Sequence, residues 1–136
     1  AILVGVVAFA VVRGRLGHEP FALEAVAFQA TMPGLSEELA YRGIWWIILA
    51  TAFDQPALDA RRIPWSAFVV TTVLFASVHG VTLDAHGALA FDWFALAATS
   101  VAATLYGLLQ AIGRALWLPI VAHNLSNVVL IILQTS

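Results

Sequence analysis

Seven polar side chains stand inside long apolar runs: Glu37, Glu38 and Arg42 in LSEELAYRG, His79 in FASVHG, and His123, Asn124 and Asn127 in AHNLSN. An ionisable group at membrane depth costs roughly 2.5–3.5 kcal/mol on insertion scales, so a function is its default reading. Glu38 and Arg42 are i,i+4 on a helix and can form an ion pair. Glu37 lies about 100° further round an α-helix, so the second carboxylate is free to point elsewhere. His123 and Asn127 share the i,i+4 spacing, and so do Phe75 and His79, which would place an aromatic ring beside the imidazole.

A carboxylate, two imidazoles and an amide can activate water. The carboxylate takes a proton from it, one imidazole helps hold it, and the second imidazole with the amide can donate to a developing oxyanion. That is a parts list for hydrolysing an amide inside a membrane cavity. The same residues admit other readings. One Glu and two His can ligate zinc and leave a position for water. Three titratable groups can form a proton or ion relay, and polar side chains in membrane helices also glue helices together. Ser36, Ser77, Ser100 and Ser126 lack the strand–turn–helix setting of a nucleophile elbow, and no HExxH or Gly-rich phosphate loop occurs.

These residues need a bilayer-spanning scaffold to position them. The 136-residue chain is 62% hydrophobic and only 10% charged, with a mean hydropathy of +0.93. A water-soluble fold of this size could not hide that much apolar surface. The reading is therefore an all-α, polytopic transmembrane bundle forming a single membrane-embedded domain over residues 1–136. Net charge is −2, so no basic surface invites nucleic acid. Without cysteine there is no disulfide, thiolate nucleophile or Cys-based metal site.

About five spans are expected. Residues 1–12 read as the tail of a first, partial span ending at Arg13 and Arg15, with further spans expected upstream. Residues 14–20 form a turn, and a helix from about 21 to 51 is interrupted at Pro33-Gly34. Ser36 is expected to cap the resumed segment. Residues 54–62 form a loop, and Pro64 opens a helix to about His79. A second loop covers 80–88. A long span runs from about 90 to 113, with Asp92 suited to its start and Arg114 marking a tight turn. The last span is 117–133. Trp65, Trp93 and Trp117 lie near helix starts, as interfacial anchors do. Arg61, Arg62 and Arg114 outnumber Arg13 and Arg15 across the bilayer, which predicts their side as cytoplasmic. At about 1.5 Å per residue, Glu37 and His79 lie roughly 22 Å from that side and His123 roughly 13 Å. Helix tilt and side-chain reach are needed to bring them together.

EELAYR (residues 37–42) fits EExxxR, FASVH (75–79) fits FxxxH and HNLSN (123–127) fits HxxxN. In this order, in a hydrophobic polytopic chain, they resemble the CPBP (Abi) family of intramembrane endopeptidases. That family includes the type II CAAX prenyl endopeptidases and bacterial proteins linked to bacteriocin processing or self-immunity. The resemblance covers approximately residues 28–133. It implies a CAAX prenyl protease type II-like core and a polypeptide substrate, lipidated or hydrophobic, taken from the bilayer. It implies Glu37 as general base on water with His79 assisting, and His123 and Asn127 as the oxyanion hole. Glu38, Arg42 and Phe75 would support the site. The family, once labelled metalloprotease, is described as glutamate-dependent with no required metal, so the expected cofactor set is none and zinc is the alternative. A non-catalytic self-immunity or scaffold protein is the alternative function. The Lys-free, Ala- and Arg-rich composition points to a GC-rich bacterial genome, hence the bacterial plasma membrane.

Overall fold

The computed structural model describes residues 22–53 and 62–134. The expected partial span at 1–12, the turn after it and nearly all of the 54–62 loop lie outside the described residues. A short helix α1 (Leu23–Gln29) carries Glu24 in its first turn, where a carboxylate suits the helix dipole. After a turn at Ala30 and Thr31, helix α2 follows in two parts. Gly34–Trp45 is wound as a π-helix and Trp46–Ala52 as an α-helix.

The break before α2 is displaced from Pro33-Gly34. It falls at Ala30-Thr31, because proline is tolerated in the first turn of the resumed helix, where its missing N–H costs nothing. Ser36 does not cap that helix. Its hydroxyl donates back to the carbonyls of Met32 (2.9 Å) and Pro33 (3.3 Å), so it already lies inside the turn.

Pro64 stands at the N-cap of α3 (Trp65–Gly80). The expected loop beyond it is a β-hairpin, β1 (Val81–Leu83) pairing antiparallel with β2 (Leu89–Phe91). Asp84 closes the turn, accepting from the backbone N–H of His86 (2.8 Å) and Ala88 (2.9 Å), and Gly87 supplies a φ of 79°. Asp92 then caps α4 (Trp93–Gly113), accepting from the N–H of Ala95 at 2.8 Å. Arg114 ends α4 in the left-handed region with φ 53°, turning the chain into α5 (Trp117–Gln134).

Helices α3 and α4 are antiparallel. Gly80 lies against Leu96, and a Cβ on Gly107 would come 2.7 Å from the Phe68 ring. Helix α5 packs against α4, the π-wound part of α2, and α1. Buried Ala102, Tyr106 and Ala122 form a small apolar core between α4 and α5. Among the described residues the fold is thus mostly helical, with one hairpin. Among the same described residues, two helices, Trp93–Gly113 and Trp117–Gln134, are long and apolar enough to cross a membrane, and Trp65–Gly80 is a shorter apolar helix. The five-span count is therefore not reproduced among the described residues.

Candidate active site

The π-wound part of α2, α3 and α5 each bring one motif to a common point. Glu37 Oε2 lies 3.6 Å from His79 Nε2 and 4.0 Å from His123 Nε2. The side chains of Glu37 and His79 are 32% and 33% exposed, enough to meet a ligand, whereas Glu38 and Arg42 are buried completely or nearly so. The two neighbouring carboxylates do face different surroundings. Glu37 lines a cavity of about 340 Å³ together with Phe75, His79, His123 and Asn127.

Hydrogen bonds constrain the imidazoles. His79 Nδ1 is 2.7 Å from the carbonyl oxygen of Phe75, one turn earlier on α3. A carbonyl only accepts, so Nδ1 carries a proton and Nε2 is the ring nitrogen turned to Glu37. Phe75 stacks on His79 with ring centres 4.6 Å apart. His123 Nδ1 lies 2.8 Å from Glu38 Oε1, which also accepts from Arg42 Nη1 at 3.3 Å. Arg42 continues to the carbonyl of Ala103 (2.9 Å), and its guanidinium lies 4.6 Å from the Phe75 ring centre. The expected Glu38–Arg42 pair is present, with His123 as a third member. Asn127, one turn beyond His123, reaches the cavity wall.

Two supporting residues, Tyr106 and Ser126, had no supporting role in the sequence reading, and a third, Asn124, was singled out without one. Tyr106 of α4 stacks on His123 at 4.9 Å, with an interplanar angle of 14°. Its hydroxyl is 2.6 Å from Ser126 Oγ, and Ser126 in turn donates to the His123 carbonyl at 2.8 Å. Tyr106 lies on a mostly apolar helix that carries none of the three motifs, so no pattern marked it. Asn124 stood out as a polar residue but had no assigned partner. Its Oδ1 accepts from the Gly34 N–H (2.7 Å) and its Nδ2 donates to the Thr31 carbonyl (3.2 Å). It bridges the helix break, and a Cβ on Gly34 would come 2.5 Å from that Oδ1 and 2.6 Å from the Ile120 carbonyl.

Among the described residues, no three His, Cys, Asp or Glu side chains are grouped so as to hold a metal ion. A family model described as type II CAAX prenyl endopeptidase Rce1-like matches residues 19–129. No curated protein and no solved structure matches the chain.

Proposed function

Because the chain belongs to the type II CAAX prenyl endopeptidase Rce1-like family, we propose that it hydrolyses a peptide bond of a lipidated or hydrophobic polypeptide presented by the membrane. The observation that carries this reading is the gap between Glu37 and His79. Glu37 Oε2 and His79 Nε2 face each other at 3.6 Å beside the cavity, too far apart for a good direct hydrogen bond. A water molecule donating one proton to each joins them.

Glu37 takes one proton from that water as the oxygen attacks the scissile carbonyl. The carbonyl oxygen becomes an oxyanion, which accepts from Asn127 and from His123 Nε2–H. His123 turns Nε2 to that oxyanion while its Nδ1 is held on Glu38. The tetrahedral intermediate collapses as Glu37 returns its proton to the leaving nitrogen, releasing a carboxylic acid and an amine. No metal takes part. A cell setting in the bacterial plasma membrane fits the arginine-only, lysine-free composition.

The test uses full-length protein purified in detergent and a library of lipidated and hydrophobic peptides. Site-specific cleavage by wild type, lost in His79→Ala, supports hydrolysis. Ion flux in liposomes without cleavage would replace this reading with a relay.

A further inference from the structure

Of the polar side chains on the cavity wall that the reaction above does not use, among them Thr99 and Gln134, Gln29 stands out. Gln29, in the last turn of α1, lines the same cavity as Glu37, His79, His123 and Asn127. Its Oε1 is buried and meets no hydrogen-bond donor among the described residues. The buried Oε2 of Glu37 is the other such oxygen on this wall, and the hydrolytic water accounts for it. Leaving a buried acceptor unpaired is costly, so Gln29 needs a donor when the site is filled.

A peptide brings that donor. Its scissile carbonyl is handled by His123 and Asn127, but its N–H groups need acceptors, and lipid supplies none. Thr99 and Ser126 on the wall already have partners, Thr99 donating to the Ala95 carbonyl at 2.6 Å and Ser126 Oγ held between Tyr106 and the His123 carbonyl, whereas Gln29 Oε1 has none among the described residues. Resting on the protease reading, we propose that Gln29 is a substrate-binding residue whose Oε1 accepts a hydrogen bond from one backbone N–H of the polypeptide being cleaved. Helix α1 thereby reads the main chain of the substrate, independent of its side chains.

The experiment is an ester scan on a hydrophobic peptide that the full-length protein cleaves. Each peptide bond other than the scissile one is replaced in turn by an ester, which removes one N–H. In wild type, one position is expected to lose about threefold to tenfold in kcat/KM, the worth of a single hydrogen bond. Gln29→Leu is expected to lose a similar factor on the all-amide peptide and to show no further loss with the ester at that position. The ester-to-amide ratio is internal to each variant, so partial misfolding of Gln29→Leu does not disturb it. An unchanged ester penalty in Gln29→Leu, or full activity of that variant, overturns the proposal while leaving the protease reading intact. Cleavage that persists in Glu37→Gln, or no cleavage by wild type, overturns both.

Discussion

Glu37 and Glu38 are adjacent, yet one opens onto a cavity and the other is sealed between Arg42 and His123. Their identities were legible in the sequence because carboxylates are expensive within an apolar run. The hydrogen bond from His123 to Glu38 was not, because 85 residues separate the two and only the packing of α5 on α2 sets them together. That bond gives Glu38 a second task beyond holding Arg42. Removing one partner of a fully buried pair typically costs about 3–5 kcal/mol, so Arg42→Met should markedly lower the midpoint of thermal unfolding in detergent. Glu38→Leu combined with Arg42→Met should recover much of that stability but not the activity, since His123 loses its Nδ1 acceptor. Equal activity of the double variant and wild type would show that Glu38 does not serve His123. Asn127→Ala should lower kcat by about 10²–10³ with little change in KM, as the loss of one oxyanion donor does. A change confined to KM would place Asn127 in ground-state binding.

At the scale of the elements, the π-wound start of α2 is the feature that no residue pattern announced. Sequence spacing predicted an α-helix and a disparity of roughly 9 Å in depth between Glu37 and His123 at 1.5 Å per residue. A wider coil advances less per residue, which lowers Glu37 towards His123, and such windings often occur at functional sites. Asn124 holds the junction where this segment begins. Gly34→Ala, whose Cβ has no room against Asn124 and the Ile120 backbone, should therefore shift α2 against α5. We expect a destabilisation of about 1–3 kcal/mol in unfolding and a larger fractional fall in kcat than in substrate affinity. Wild-type kinetics in Gly34→Ala would show that the clamp does not set the position of Glu37. Helix limits near Pro64, Asp92 and Arg114 followed from capping and turn chemistry. The hairpin was missed because its strands are only three residues each, too short for alternation to register, although the Asp84–Gly87 turn signal is present.

Across the described residues, polar and charged side chains are buried beside an apolar core while many large aliphatic ones face outward. Glu38, Arg42, Thr71, Thr99, His123 and Ser126 are buried, while Ile44, Ile48, Val69, Val73, Val101 and Val121 face outward. Composition alone made this legible, because 62% hydrophobic residues cannot fit inside a chain of this length. The outward aliphatic residues predict that the protein stays in the membrane fraction after alkaline carbonate extraction. Val73→Arg, placing a charge on the lipid face, should reduce insertion by about 2.5–3.5 kcal/mol at helix centre. Quantitative release by carbonate would contradict the membrane assignment.

The central claim is that Glu37 activates water without a metal. The most direct measurement is hydrolysis of a membrane-associated peptide by the full-length protein, wild type beside Glu37→Gln, each with and without a strong chelator. The account predicts cleavage by wild type that the chelator leaves unchanged and that Glu37→Gln abolishes. Cleavage retained by Glu37→Gln, or lost with chelator and restored by zinc, would contradict it.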